Sequence, residues 1–204
     1  MARDDERVRR ASEDPIVPGL PDVPGISAAM RLTPGLGTHL RGLADELLVL
    51  DYPGTTLRRV DRETIATAVS AANDCFFCMD SHAAHAAALL DEADAARLTP
   101  VLDGVKRGSS DGLDPKMCAL LHIARTVRGD ARDLTGEDVA AALDAGATDA
   151  DVQLAVMIAA AFSMYNRMVD GFRARTPGST DAYRTRAVEI AEGGYSGNLV
   201  AARR

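Results

Sequence analysis

Glu63, Cys75, Cys78 and His82 are the residues of this chain whose types and spacing can do chemistry. They lie in ETIATAVSAANDCFFCMDSHAAH, residues 63–85, with the glutamate twelve positions before the first cysteine and the histidine four after the second. Two thiols three residues apart can close a disulfide when they sit at a helix start. An imidazole four residues beyond Cys78 shares its helical face and can move its proton. A carboxylate brought beside that imidazole can relay the proton and fix the ring tautomer. The chemistry this equipment suits is redox thiol chemistry. A thiolate attacks a peroxide O–O bond and becomes a sulfenic acid, the neighbouring thiol condenses with it to a disulfide, and water leaves. An external dithiol then restores both thiols by exchange.

The elements around the motif must position these groups. Asn73–Asp74 breaks one helical pattern, and a helix from Asn73 or Asp74 places Cys75 in its first turn and Cys78 about one turn further in. Unpaired N–H groups and the positive end of the helix dipole stabilise a thiolate there, lowering an ordinary thiol pKa of about 8.5 by one to several units. The dipole favours Cys75 as the attacking sulfur and the histidine favours Cys78, so spacing leaves that choice open. His85 continues the same strip, while Glu63 sits on the preceding helix and depends on the tertiary fold to reach the site.

Residues 1–14 are highly charged and read as a loosely attached arm. Residues 15–37 carry Pro15, Pro18, Pro21, Pro24 and Pro34 with interspersed glycines, the pattern of an extended, turn-rich segment laid over the surface or a neighbouring subunit. From Thr38 the helical period takes over. Leu40, Leu43, Leu47 and Leu50 form one stripe, and Ile65, Ala68, Val69 and Ala72 the next, opened by Asp61 as N-cap. Helices follow at 75–90, at 94–102 and from Pro115, whose buried face is Met117, Leu120, Leu121 and Ala124. Thr135–Asp138 and Thr148–Asp151 resemble capping boxes opening helices at 136–145 and 149–170, and a last helix spans 180–192. No segment alternates with period two, so the fold class is all-α, with seven to eight helices and an extended Pro/Gly-rich N-terminal segment. The organisation expected is an arm at 1–37, a helical domain at 38–194 and a tail at 195–204. The spacing of Glu63, Cys75, Cys78 and His82 recurs in Asp151, Ser163, Asn166 and Asp170, the form a worn duplication or a chance agreement would take.

Composition bounds the function. Alanine dominates the apolar residues and aromatics are only 4 %, which favours closely packed helices. A net charge of −7 argues against nucleic acid as a partner. No apolar run of membrane-spanning length is expected, nor a secretory signal in the charged N-terminus. Three cysteines, two of them in one CxxC, do not make a disulfide framework and point to a reducing cytoplasm.

Glu63, Cys75, Cys78 and His82 match position by position the Glu-x11-Cys-x2-Cys-x3-His signature of the alkylhydroperoxidase D-like (AhpD-like), or carboxymuconolactone decarboxylase-like, proteins, which this chain resembles, specifically their peroxidase-related branch. Flanking sequences similar to that branch include AGATDADVQLAVMIAAAFSMYNRMVDGF and, more loosely, VPGLPDVPG, so that the resemblance runs from about Pro15 to Phe172. It implies an AhpD-like helical bundle, homo-oligomers (dimers, trimers or hexamers) and thiol-dependent reduction of hydroperoxides with no metal, haem or other cofactor. It also implies that Cys78 attacks, Cys75 resolves, and Glu63 with His82 form the proton relay, a lipoyl- or thioredoxin-type dithiol being the reductant. One departure stands out. The family often places His or Tyr next to the second cysteine, where this chain has Phe77, which removes a proton-handling group.

Other chemistries fit parts of the same sequence. A lyase or decarboxylase acting on a small lactone or carboxylate needs no dithiol. A non-catalytic helical oligomer would use the CxxC to sense oxidants. Zinc on Glu63, Cys75, Cys78 and His82 is a further alternative, although structural zinc more often uses two Cys or His pairs. His85, Phe77 and Asn73 are expected to support the site. Cys118 and His122 repeat an i, i+4 relation, with Cys118 read as a buried small hydrophobe; Met157, Met164 and Met168 read as core filler.

Overall fold

The structure, a computed structural model, describes residues 14–177 and 179–197. Among these, nine α-helices follow in order: α1 (Ile26–Leu32), α2 (Pro34–Leu48), α3 (Arg59–Ala72), α4 (Phe76–Ala88), α5 (Glu92–Lys106), α6 (Pro115–Asp130), α7 (Gly136–Asp144), α8 (Asp149–Phe172) and α9 (Thr180–Gly193), with a 3₁₀ turn at Ala131–Asp133. The all-α expectation holds, with one or two more helices than expected.

Helix α3 is the axis of the bundle, packed against α4, α5, α6 and α8. It is buried nearly all round, from Val60 to Ala71. Burying its polar residues is tolerable because each has a partner. Arg62 donates to the Leu57 and Leu50 carbonyls at 3.2 and 2.7 Å, and Thr64 and Thr67 donate to Val60 and Glu63 carbonyls at 2.8 and 2.9 Å. The main core joins Leu40, Leu47 and Leu48 of α2, Ile65 and Val69 of α3, Leu120, Leu121 and Ile123 of α6, and Leu154, Ile158 and Phe162 of α8. At 25 cal/mol/Å², a fully buried Leu or Ile of this kind contributes about 1.5–3 kcal/mol.

Helix α8 is long and apolar enough to cross a membrane by length and composition. Here its Leu154, Ala155, Ile158, Ala159 and Phe162 form core. Both expected capping boxes exist: Thr135 accepts from the Asp138 amide and Thr148 from the Asp151 amide. Asp151 does more, accepting from Thr55 Oγ1 at 2.6 Å and from Thr56 N and Oγ1 at 2.7 Å, which ties the start of α8 to the loop before α3. Burial alone would raise its pKa, but these bonds hold it at about 2.

Several sequence expectations are corrected. The stretch 15–37 is not extended throughout: α1 lies inside it, and α2 starts at Pro34, whose missing N–H costs nothing at N1, so a boundary at residue 37 would cut α2. Asp61 is not the N-cap of α3. Arg58 is, and the Asp61 carboxylate reaches back to its amide at 2.9 Å. Helix α5 runs well beyond 94–102 and accommodates Pro100 internally. Asp151, Ser163, Asn166 and Asp170 share one unbroken helix, whereas Glu63 to His82 span two, so the repeated spacing has no structural counterpart. Met164 is exposed at 39 %, not core.

The N-terminal segment covers the molecule's own sulfurs. Leu20, Val23, Ile26 and Ala28 pack with Cys75, Cys78, Val169 and Ala174, and the Gly25 amide donates to the Arg175 carbonyl at 2.8 Å. Gly25 has φ +58°, and a Cβ there would overlap the Phe77 ring. Gly25→Ala is expected to cost about 1–3 kcal/mol through left-handed strain and displacement of that ring, read as a lowered urea midpoint with unchanged slope.

Candidate active site

The α3–α4 corner is a tight helix–turn–helix. Asn73 caps α3 at its C-terminus, Asp74 takes the left-handed conformation at φ +55°, and Cys75 is the N-cap of α4. Cys75 therefore stands one position before the first turn expected for it, with Cys78 at N3 and His82 one turn further on. The corner is locked from behind. Arg128 Nε donates to Asn73 Oδ1 at 2.8 Å, Asn73 Nδ2 to Asn166 Oδ1 at 2.8 Å, and Asn166 Nδ2 to Ser70 Oγ at 3.1 Å. Asn73 fixes this turn and does not line the cavity.

Both cysteines are free thiols, Cys75 fully buried and Cys78 4 % exposed. They differ in outlook. Cys78 lines a cavity of ≈ 80 Å³ together with Phe77, His82, His85 and Phe162, whereas Cys75 does not reach it. A hydrogen bond with Cys78, followed by burial, pushes the Cys75 thiol well above its usual value. Cys75 is thus held protonated at neutral pH.

Glu63 reaches the site across the helix pair, 1 % exposed, and accepts at both oxygens. His82 Nδ1 lies 2.7 Å from its Oε2, and the Tyr195 hydroxyl donates to its Oε1 at 2.7 Å. Burial acts to raise the Glu63 pKa, but the hydrogen bonds and charge of His82 and His85 outweigh it and hold the group at about 2. A carboxylate acceptor requires the proton on Nδ1 of His82, which leaves Nε2 as the acceptor when the ring is neutral. His85 Nδ1 is 3.0 Å from the Tyr195 oxygen and 3.7 Å from Glu63 Oε2. Since the phenol spends its proton on Glu63, it accepts from His85. Burial lowers the His85 pKa, and burial with the Glu63 charge raises that of Tyr195 well above the phenol range, so that ring and phenol are neutral.

Tyr195 is a candidate site residue that the sequence does not reveal, at the start of the tail expected from 195. The Asp45 carboxylate holds it by accepting from the Tyr195 and Ser196 amides at 2.6 and 3.0 Å. The only sequence signal was negative: Phe77 leaves the motif one proton-handling side chain short. Phe77 itself stacks obliquely on Tyr183, with ring centroids 5.8 Å apart, and walls the cavity.

Glu63, His82 and His85 offer ligand atoms within 4.8 Å of one another. The 2.7 Å His82–Glu63 contact is hydrogen-bond length, and the Tyr195 hydroxyl bonds the other carboxylate oxygen, an arrangement that can pass a proton between imidazole and carboxylate. Cys118 and His122 do not make a second site. Cys118 is half-buried, with its thiol toward the Ser110 and Leu113 carbonyls, and His122 is exposed on Asp138 at 2.8 Å.

Residues 34–101 match the model of the carboxymuconolactone decarboxylase family, a span holding all four motif residues. Over that third of its length the chain is similar to that family. Two solved structures share the AhpD-like fold. One is a peroxidase-related protein from Ralstonia eutropha JMP134, described as an alkylhydroperoxidase AhpD core; it is 24 % identical over 81 % of this chain and 82 % of its own, with a TM-score of 0.68. The other is a peroxidase-related protein from Silicibacter sp. TM1040, 19 % identical over 85 % and 93 % of the two chains, with a TM-score of 0.66. No curated protein matches the chain. In this AhpD-like frame the helix pair α3–α4 carries Glu63, Cys75, Cys78 and His82, and α1, α8 and α9 with the segment after it wall the cavity beside them.

Proposed function

We propose that the protein is a thiol-dependent peroxidase reducing hydroperoxides through a Cys78/Cys75 dithiol–disulfide cycle. The observation that carries this reading is that Cys78 shares its cavity with His82, whose ring is bonded at 2.7 Å to the buried Glu63. The Cys78 proton passes to the His82–Glu63 couple, and the thiolate attacks the terminal peroxide oxygen. The O–O bond breaks, a sulfenic acid forms on Cys78, and the departing alkoxide takes the proton back. The Cys75 thiol then displaces the hydroxyl of that sulfenic acid, so that the S–S bond forms and water leaves with the Cys75 proton. An external dithiol of the lipoyl or thioredoxin type is oxidised as it returns both sulfurs to thiols. Cys75 suits the resolving role because the cavity is lined by Cys78 and not by Cys75, which supports the choice that spacing left open. Assembly into a homo-oligomer and a cytoplasmic setting belong to the same reading.

The test is turnover. With cumene hydroperoxide and a reduced dithiol, peroxide is expected to be consumed catalytically with one dithiol oxidised per peroxide. Stoichiometric thiol loss without turnover would instead favour a redox sensor, and inert thiols would overturn both.

Tyr195 acts here as a positioning residue, fixing the Glu63 carboxylate toward His82. Tyr195→Phe removes one charge-assisted hydrogen bond of about 1.5–3 kcal/mol, so kcat/KM is expected to fall about tenfold or more. With one donor fewer, the Glu63 pKa rises, and the acid limb of the pH–rate profile should move to higher pH, a shift that mere loosening of the tail would not produce.

A further inference from the structure

The cavity beside Cys78 adjoins a second one of ≈ 530 Å³, the outer cavity, which does not reach the sulfur; Ser27, Arg41, Phe77, Ser81, His85, Arg186 and Tyr195 line both. The inner space is walled by Ile26, Met30, Phe77, Phe162 and Ile190, an apolar sleeve around the sulfur. The outer one carries three guanidinium groups, of Arg31, Arg41 and Arg186, against one carboxylate, Glu189. Arg186 is matched by Glu189 at 2.7 Å, whereas Arg31 and Arg41 have no acidic partner among the described residues. Arg41 is half-buried and Arg31 exposed. In a chain with a net charge of −7, two unmatched cations at the mouth of the reactive cavity are a local reversal of sign. Such a mouth draws anions inward and turns them head outward, and a guanidinium fork fits a carboxylate in particular.

We propose that the outer cavity binds a carboxylate, and that the hydroperoxide reduced here is an acid whose –OOH is separated from that carboxylate by a short apolar chain. The chain lies in the inner sleeve, the carboxylate rests on Arg41 and Arg31, and the peroxide meets Cys78. The O–O bond breaks as in the cycle above, so the product is the corresponding hydroxy acid, and the external dithiol supplies the electrons. This rests on the peroxidase reading for the reaction but not for the binding site, and the two can be tested apart.

Straight-chain carboxylates from acetate to octanoate and their methyl esters are offered as competitors while Cys78 of the reduced protein is alkylated with iodoacetamide, followed by peptide mass spectrometry. Acids of intermediate length are expected to slow alkylation about fivefold or more relative to their esters, an advantage that shrinks with added salt and disappears in the Arg31→Gln/Arg41→Gln variant. Equal protection by acid and ester, or protection indifferent to the double substitution, overturns the proposal. No turnover is needed for this measurement, so a protein that consumes no hydroperoxide but shows the protection has lost the peroxidase reading and kept the carboxylate site. With turnover in hand, a hydroperoxy acid should react about tenfold faster than its methyl ester. If acid and ester react alike while dihydrolipoate outperforms dihydrolipoamide as reductant, the arginines serve the reductant and the substrate assignment falls.

Discussion

Hydroperoxide turnover by a Cys78→Ser chain is expected to fall to the uncatalysed background, a loss on the order of 10³-fold or more. Serine keeps the shape of the site but offers no accessible anion at neutral pH and cannot form a sulfenic acid. The Cys75→Ser chain should behave differently. Its Cys78 still opens on the cavity beside His82, so one equivalent of peroxide is consumed in a burst. Turnover then stops, because no second thiol is present to displace the hydroxyl of the sulfenic acid. The pair of variants, followed in peroxide consumption and in sulfenic-acid trapping, separates attacker from resolver. Equal bursts from both chains would contradict the assignment drawn from cavity access.

Glu63→Gln is the second large effect, with an expected fall in kcat/KM of about 10²–10³. The two Glu63 oxygens each accept a proton donor, His82 at 2.7 Å and Tyr195 at 2.7 Å. A glutamine accepts at one end only and points its amide at the other, so His82 or Tyr195 faces a donor, and no charge remains to stabilise an imidazolium. The same change alters stability in acid. Glu63 is held at about 2 in the fold against 4.5 for an ordinary glutamate. Between those values the unfolded chain binds more protons, so the stabilisation from the ionised form is present above the higher value and is lost as pH falls through this window. His85, whose pKa is lowered by burial, adds a loss that begins as pH falls through its ordinary value of 6.5. Urea unfolding across this range should show the wild-type chain losing stability at low pH more steeply than Glu63→Gln. Parallel curves would mean that Glu63 is not the paired carboxylate described here.

The helical class and most helix centres were legible because α2, α3 and α6 carry their core residues at helical spacing, and because Thr135, Thr148 and Pro115 punctuate the chain by local chemistry. The start of α2 and the whole of α1 were hidden by prolines and glycines, which signal turns equally well when they sit at N1 or at a close crossing. Glu63, Cys75, Cys78 and His82 were legible since three of them share one helix start. The contact of Glu63 with His82 follows once α3 and α4 are antiparallel neighbours. Tyr195 was not legible. It reaches the relay through Asp45, a partner 150 residues away whose carboxylate reads in sequence as an ordinary helix-surface charge. The outer arginines were equally hidden, because they come from α1, α2 and α9, and no local spacing links those helices.

The most direct measurement is peptide mapping of the protein after one equivalent of hydroperoxide, without reductant, under conditions that block free thiols. The account predicts that the peptide holding both Cys75 and Cys78 becomes two hydrogens lighter and refuses alkylation, while Cys118 alkylates fully and added dithiol reverses the change. A peptide that keeps both thiols, or one in which Cys78 accumulates oxygen while Cys75 remains free to alkylate, would contradict it.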